Sequence, residues 1–343
     1  MAFFARSAIA TAIALGGCSR VEEPAAVRSA PALPQSPPPT ASAPEPALLA
    51  PTQLLSLASS PYQATLFADD DAIELLTSHA AYRFVPGREP VQRALDLGFA
   101  ATVTRQNYVY WSGGAIWSAA RRSSKASAPK KLAPLTEQPQ HLVADLAGDD
   151  FAWLVRSAGD RYAIEKLENK RTKRLYTSAG SIDALSLVGD ALYFVERPSG
   201  DGWRVGSVKL AGGGATFTAS KSGRWPSSIR GYKDSVIYYD GARRDVLRLS
   251  LDLQREDTLQ RDFICSPLAA AANVYCSTME GIFELTDNET PRRIVPAPRN
   301  LIVNLAVNGQ RLAFITDIGA QGQDQLALNV VALAQPTAGE PPH

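Results

Sequence analysis

A short apolar and aromatic segment recurs seven times along the chain at a nearly constant interval. Each copy follows a small polar turn, as in Ala147-Gly-Asp-Asp before the strand-like run that begins at Phe151. One equivalent position in the seven copies holds Leu75, Trp111, Trp153, Phe194, Tyr238, Cys276 and Phe314, which are spaced 36 to 44 residues apart. A strand-rich chain with a period of about 40 residues is typical of a β-propeller, in which each repeat forms one four-stranded blade.

The repeat between residues 98 and 135 shows all four predicted strands of a blade. They are FAATVT, YVYWS, AIWSAA and KKLAP, and Gly, Asn and other turn-forming residues separate them. The first strand of each repeat is less polar than the fourth, because the innermost strand of a blade packs against neighbours on both sides. The chain is therefore predicted to be all-β, with blades built from consecutive antiparallel strands.

The two ends of the repeat region indicate how the ring closes. The seventh repeat supplies three strands and then stops at a Pro-rich tail, residues 335–343, which is expected to be disordered. An apolar stretch at residues 53–59, QLLSLAS, precedes the first repeat and has no other assigned place. We expect it to supply the missing fourth strand and to remove the exposed sheet edges. The prediction is a seven-bladed propeller over residues 51–334; six or eight blades remain alternatives, because the first repeat is the most divergent.

The N-terminus carries the pattern of an export signal. Residues 1–17 contain one basic residue and an apolar run of about eleven residues, which is too short to span a bilayer. Leu15-Gly16-Gly17-Cys18 resembles a bacterial lipobox, and this resemblance implies cleavage before Cys18 and acylation of its thiol. Ser19 after the cysteine resembles an outer-membrane sorting signal. The alternative is an ordinary signal peptide with a coincidental cysteine.

The segment from residue 18 to residue 50 is rich in Pro and Ala and poor in aromatic residues. A segment of this composition cannot bury a core and is expected to be a disordered, extended tether. Together with a lipidated Cys18, it would hold the propeller at the surface of the membrane. The predicted location is the bacterial cell envelope, at the outer membrane.

Two cysteines, Cys265 and Cys276, lie in the sixth repeat. Exported proteins occupy an oxidising compartment, in which disulfides persist. A hairpin turn near Ala270 and Ala271 would place the two cysteines opposite each other on adjacent strands, and a disulfide is predicted between them. The alternative is a pair of buried thiols.

The sequence offers few residues suited to catalysis. It has three histidines, and none has the spacing of a metal ligand set. The 35 basic and 34 acidic residues nearly balance, which disfavours nucleic acid as a partner. No metal or cofactor is expected.

The predicted ligand site lies over the central channel, on the face formed by the fourth-to-first and second-to-third strand connections. Six residues in those connections are of types that suit a sugar or peptide ligand: His141, Arg224, Trp225, Arg243, Arg299 and Asn300.

Basic residues also flank the predicted third-to-fourth strand turns of blades two and three. They include Arg121, Arg122 and Lys125 in blade two and Lys166, Lys170 and Lys173 in blade three. One interpretation is a patch for anionic lipid or an envelope polymer. The other is a set of solvated hairpin tips.

Several repeats resemble those of a known group of proteins. Asn107-Tyr-Val-Tyr-Trp-Ser with Gly114-Ala-Ile-Trp resembles the repeat of bacterial lipoproteins that carry YWTD-like or NHL-like propellers. Ala191-Leu-Tyr-Phe and Val236-Ile-Tyr-Tyr-Asp-Gly have the same outline, although no repeat contains the strict YWTD tetrapeptide. The resemblance implies the fold and not a function, since propellers host unrelated activities.

Three functional hypotheses follow from these features. The leading one is a non-catalytic, membrane-anchored binding or scaffold protein, whose propeller presents a face to an envelope protein or a glycan. The second is an enzyme, such as a lyase or hydrolase, that acts on sugar or peptide at the central channel. The third is a domain that serves only as a platform in a larger complex.

Overall fold

The computed structural model describes residues 48–333, apart from residues 99, 123–127, 158–160, 199–201, 288 and 321–322. These residues form an all-β ring of seven antiparallel sheets, which is the predicted seven-bladed propeller. The described part of the chain contains no helix long and apolar enough to cross a bilayer. The predicted signal peptide, Cys18, most of the tether and the tail lie outside the described residues.

Blades 1 to 3 each consist of four consecutive strands, listed from the inside of the ring outwards. Blade 1 contains β2 (Thr65–Ala68), β3 (Ile73–Leu76), β4 (Ala80–Phe84) and β5 (Val91–Ala94). Blade 2 contains β6 (Ala101–Val103), β7 (Asn107–Ser112), β8 (Ala115–Ala120) and β9 (Lys130–Pro134). Blade 3 contains β10 (His141–Ala144), β11 (Phe151–Ser157), β12 (Arg161–Glu168) and β13 (Arg171–Thr177).

Blades 4 to 6 repeat this order, with one irregularity in blade 4. Blade 4 contains β14 (Ser181–Val188), β15 (Ala191–Arg197) and β16 (Gly202–Lys209), and its outer edge is two short strands, β17 (Thr216–Phe217) and β18 (Lys221–Ser222), that both pair with β16. Blade 5 contains β19 (Ile229–Tyr232), β20 (Ser235–Asp240), β21 (Asp245–Ser250) and β22 (Glu256–Gln260). Blade 6 contains β23 (Leu268–Ala270), β24 (Val274–Thr278), β25 (Gly281–Leu285) and β26 (Arg292–Pro296).

Blade 7 closes the ring by joining the two ends of the propeller. It contains β27 (Ile302–Val307), β28 (Arg311–Asp317) and β29 (Leu326–Ala332) from the end of the chain. Its fourth strand is β1 (Thr52–Leu57), which pairs antiparallel with β29 from Thr52 opposite Val330 to Leu57 opposite Leu326. The predicted N-terminal closing strand is therefore confirmed. A 3-10 turn, Pro61–Gln63, connects it to blade 1.

Seven apolar clusters hold the blades together, one between each pair of neighbours. The recurring aromatic position lies in these clusters, and Trp153, Phe194 and Tyr238 are fully buried there. In the cluster between blades 7 and 1, Leu55 and Leu57 of β1 pack beside Leu326 and Leu328. Because each blade buries apolar side chains on both of its faces, removing one blade would expose two clusters.

The cysteine pair forms as predicted, but its position in the blade differs from the prediction. Cys265 and Cys276 are joined by a disulfide with a Cα–Cα distance of 5.4 Å, within the usual range. Leu268, and not Cys265, is the residue opposite Cys276 in the strand ladder. Cys265 lies before the inner strand, in the connection from blade 5. The predicted register was wrong for two reasons. The inner strand β23 is shorter than the apolar pattern indicates, and the hairpin turn lies closer to β24 than predicted.

Candidate functional site at the central channel and the upper face

The connections between strands alternate between the two faces of the ring. Fourth-to-first and second-to-third connections lie on one face, which we call the upper face; the other connections lie on the lower face. All six residues predicted for a ligand site belong to the upper side: His141 begins β10, and the others lie in upper-face connections. The sequence therefore placed them on one face, although it gave no distances between them.

The innermost strands of all seven blades line a central cavity of about 370 Å³. Most of the lining is apolar or small, as with Leu66, Ala101, Val143 and Ala306. Hydroxyl and amide side chains add polar groups: Thr65, Thr102, Gln140, Ser186 and Asn304. His141 and Arg230 are the titratable side chains among these lining residues. The volume is that of a small-molecule site.

Arg230 occupies a position that is uncharged in the other six blades. In the strand ladder of blade 5, Arg230 is opposite Ile237, and Ile237 directly precedes the recurring aromatic position. The residue at the same place in the ladder of each other blade is its equivalent. The equivalents are Phe67, Ala101, Val143, Ser186, Ala269 and Ala306. The propeller geometry therefore does not require a charge there.

The guanidinium of Arg230 has no acidic partner among the described residues. Its recorded contact is a hydrogen bond from Nη1 to the backbone oxygen of Ile229 at 3.1 Å. Burial by the channel walls lowers the pKa of Arg230, and no neighbouring carboxylate opposes that effect. Arginine remains protonated in proteins, so the channel holds a permanent positive charge.

His141 lines the same cavity and is accessible from it. Burial by the surrounding protein lowers the pKa of His141, and Arg230 lowers it further, whereas the carboxylate of Asp183 acts in the opposite direction. The neutral imidazole is thus favoured at neutral pH. In that form it offers one donor and one acceptor to a ligand.

Asp183, Arg197 and Trp225 link the region of His141 to the outer part of the upper face. Asp183 is the bulged residue of β14, between Ile182 and Ala184 in the strand ladder. Its carboxylate accepts two hydrogen bonds from Arg197, at 2.5 and 2.9 Å. The guanidinium of Arg197 stacks on the ring of Trp225 at 3.7 Å from the ring centre. These two hydrogen bonds engage the carboxylate of Asp183 in an ion pair with Arg197.

The other predicted residues lie outside the channel lining. Arg224 is in the connection between β18 and β19, and Arg243 is in the turn between β20 and β21, where it pairs with Asp245 at 3.3 Å and Glu256 at 3.5 Å. Arg299 and Asn300 are exposed in the connection between β26 and β27. The six residues therefore do not form one pocket, and their role as ligand contacts stays a prediction.

Large exposed apolar side chains are concentrated on the upper face of blades 5 to 7. Some of these side chains belong to outer strands or to the segment just before β1. Among the rest, Leu251 is the one in a lower-face connection. Five lie in upper-face connections: Tyr62, Trp225, Ile264, Met279 and Leu301. Met279 is 88% exposed. Four of the five occur between the end of blade 4 and the start of blade 7. A grouping of this kind is typical of an interaction surface.

Exposed arginines occur in the same connections as these apolar residues. Arg224, Arg244, Arg261 and Arg299 are exposed, and within the described residues none has a carboxylate partner. Asp262 and Glu280 are the exposed acidic residues in these connections. The upper face of blades 5 and 6 therefore combines apolar side chains with an excess of unpaired guanidinium groups. We call this region the arginine–apolar surface; it comprises Arg224, Trp225, Arg244, Arg261, Ile264, Met279, Arg299 and Leu301.

One residue of the predicted basic patch has a different role. Arg121 is fully buried between blades 1 and 2, so both interpretations of it as an exposed side chain were wrong. Its Nε lies 2.7 Å from Glu74, and its Nη2 lies 2.5 Å from Asp69. Lys125 lies outside the described residues. Lys166 and Lys173 are partly exposed, and both pair with Glu168 at 3.0 Å.

Sequence reasoning missed the residues that give the channel its charge. Arg230 belongs to the four-residue inner strand IRGY. The other three residues of that strand are uncharged. A comparison of the inner strands would have identified Arg230 as the one charged residue at its position in the repeat. Asp183 could not be found this way, because its orientation depends on the bulge in β14. No group of three or more His, Cys, Asp or Glu side chains suited to a metal occurs in the described part of the chain.

Comparisons with known proteins establish the fold. No protein-family model matches this sequence, and no curated protein matches it. The structure is similar to the β-propeller domain of Myceliophteria thermophila Cps50 (Swd1), with a TM-score of 0.55, 9% identity and coverage of 82% of this chain and 99% of that one. It is also similar to the WD40 β-propeller domain of Doa1, with a TM-score of 0.55, 7% identity and coverage of 85% and 99%. The CNH domain of AfRom2 has a TM-score of 0.53, 10% identity and coverage of 82% and 98%. These likenesses show a β-propeller fold and no particular activity.

Proposed function

We propose that this protein is a non-catalytic binding or scaffold lipoprotein of the bacterial cell envelope, and that its propeller binds an acidic protein partner. The observation that carries the proposal is the arginine–apolar surface on the upper face of blades 5 and 6. The propeller fold is compatible with this role but does not select it, since propellers host unrelated activities.

The composition of the surface favours a protein over a glycan. Interface cores are enriched in aromatic residues, Met and Arg and depleted in Lys and acidic residues. Met279, Ile264 and Leu301 are aliphatic or thioether side chains, which suit apolar anchors of a protein better than the hydroxyl groups of a sugar. The unpaired guanidinium groups of Arg224, Arg244 and other arginines in the surface would pair with carboxylates, so the partner should carry an acidic patch.

The alternative of an enzyme at the central channel has less support. Its lining offers His141 and Arg230 as titratable groups, and the nearby carboxylate of Asp183 is engaged by Arg197. General acid–base catalysis on a sugar or peptide would use a positioned acid and base within reach of the reacting bond. The described lining residues supply a cation and a neutral imidazole, which suit binding of an anion.

We predict that replacing exposed apolar residues of the arginine–apolar surface weakens partner binding. The variant Ile264→Ser/Met279→Ser/Leu301→Ser should reduce capture of acidic envelope proteins at least about tenfold, since interface anchors contribute roughly 2 kcal/mol or more each. Its stability should change little because the three side chains are exposed. The measurement is quantitative capture from envelope extracts at low and high salt, with the bound proteins identified by mass spectrometry.

The matched control replaces apolar residues that are similarly exposed on outer strands, Leu54→Ser/Val91→Ser. This variant should retain the same bound proteins as the wild type. If both variants lose them equally, or if the triple variant loses none, the arginine–apolar surface is not the binding site. Capture that is insensitive to salt would contradict the acidic character of the partner.

Membrane anchoring rests on the lipobox resemblance and has its own test. Wild-type protein should fractionate with outer membranes, because two acyl signals give stable anchoring at roughly 0.8 kcal/mol per buried methylene. Cys18→Ala should release it to the soluble fraction or leave it with an uncleaved leader. Recovery of the wild type and of leader-free Cys18→Ala in equal amounts from outer membranes would disprove lipidation at this residue and leave the protein-binding proposal untouched.

A further inference from the structure

We propose that the central channel is a binding site for a small monocarboxylate, with the carboxylate on the guanidinium of Arg230. This site is separate from the arginine–apolar surface and does not depend on a protein partner. It is a ligand-binding activity in addition to the scaffold role.

The described lining of the channel carries an uncompensated positive charge. Arg230 is a permanent cation, and the described residues that line the cavity include no carboxylate. Nη1 of Arg230 donates a hydrogen bond to the carbonyl of the preceding residue, Ile229, and the other guanidinium N–H groups have no acceptor among the described residues. The side chain of Arg230 is accessible from the cavity, so an anion that enters the channel can pair with its guanidinium.

The position of Arg230 in the repeat does not require a charge. Six equivalent positions around the ring carry Phe, Ser, Val or Ala, and the propeller closes with these uncharged residues. The guanidinium contributes no ion pair between blades, in contrast to the buried Arg121, which joins two of them. Arg230 therefore places a charge inside the cavity without supporting the fold.

The size and remaining chemistry of the cavity define the ligand. A volume of about 370 Å³ accommodates a small organic molecule and excludes a folded polymer chain. One guanidinium neutralises one negative charge, and its planar fork matches the two oxygens of a carboxylate. Gln140 and Ser186 have no hydrogen-bond partner for their side chains within the described chain, and with the neutral His141 they can hydrogen-bond a hydroxyl or keto group. The apolar inner strands would contact the carbon skeleton.

The test is isothermal titration calorimetry on the full chain with acetate, lactate, pyruvate and benzoate, and with chloride as the inorganic comparison. At least one acid should bind ten or more times tighter than chloride. Arg230→Gln should weaken that binding at least tenfold, and Arg88→Gln, which removes an exposed arginine in the connection between β4 and β5, should leave it unchanged. N-acetylglutamic acid amide represents the carboxylate side chain of a protein. If it binds more tightly than the free acids, the site accepts a partner's side chain; if it binds more weakly, the ligand is a free acid.

Two results would overturn the proposal. One is an absence of binding by any acid beyond that of chloride. The other is equal binding by the wild type and Arg230→Gln. Thermal unfolding without ligand shows whether Arg230→Gln is folded: because the guanidinium is accessible and makes no ion pair with the described residues, the midpoint should change by less than about 2 °C. A lowered midpoint would show that Arg230 supports the fold and would contradict the role assigned to it.

Discussion

Replacing Arg121 with Met is expected to lower the free energy of unfolding by about 3–5 kcal/mol, because the change leaves buried carboxylates without their partner. Arg121 is fully buried and lies 2.7 Å from Glu74, which is also fully buried. Glu74 accepts further hydrogen bonds from Arg83 and from the hydroxyl of Tyr108, both at 2.7 Å. The cluster joins blades 1 and 2, so its loss weakens the contact between them.

The neighbouring residue provides the control for this prediction. Arg122 pairs with the same Asp69 at 3.4 Å, but about half of its side chain is exposed. Arg122→Met should therefore cost less than about 1 kcal/mol. The measurement is urea-induced unfolding of both variants and the wild type. Equal losses for the two variants, or a loss below about 1 kcal/mol for Arg121→Met, would show that the buried cluster does not stabilise the junction.

Removing the closing strand is the second change with a large expected effect. Deletion of residues 48–59 eliminates β1 and leaves β29 as an exposed edge in blade 7. The loss of the ladder from Thr52 to Leu57, together with the burial of Leu55 and Leu57, should lower stability by about 3–5 kcal/mol. The free edge should also cause association that increases with protein concentration.

A deletion of equal length in the predicted tether, residues 30–41, is the matched control and should leave the unfolding midpoint unchanged. Size-exclusion chromatography and thermal unfolding report both effects. If the shortened propeller fails to fold, the point variant Leu57→Asn should still destabilise far more than Leu54→Asn, since Leu57 is half-buried and Leu54 is exposed. If the two point variants had similar stability, the burial of Leu57 in β1 would not contribute to closing the ring as predicted.

The blade architecture could be predicted because its physical cause is local. The seven second strands found by their apolar and aromatic runs all form, from β3 to β28, and each follows a polar hairpin turn. Alternating burial on two faces imposes this pattern on every repeat, so the period appears in the sequence. The position of β1 could be predicted as well, since an apolar strand without a partner matched a blade without a fourth strand.

Predictions that depended on register or on contacts between distant segments fared less well. The cysteine pair was correct although its assumed register was not, because a disulfide tolerates a range of backbone positions around a Cα distance of 5.4 Å. Arg121 lies in the predicted hairpin connection but was taken for an exposed residue, because its nearest neighbours in sequence are polar and basic. Its partners, Glu74 and Asp69, come from another blade.

The sequence by itself determined the repeat, the way the ring closes and the face on which the candidate residues lie, because each depends on the order of apolar and turn residues along the chain. It favoured seven blades over six or eight, and the structure decided between them. Only the tertiary structure decided which charges are compensated. Arg121 and Arg230 are both arginines beside apolar strands in the sequence. The ring brings two carboxylates to the first and places the second in a cavity lined by neutral side chains, since distances between blades are set by packing around the whole propeller.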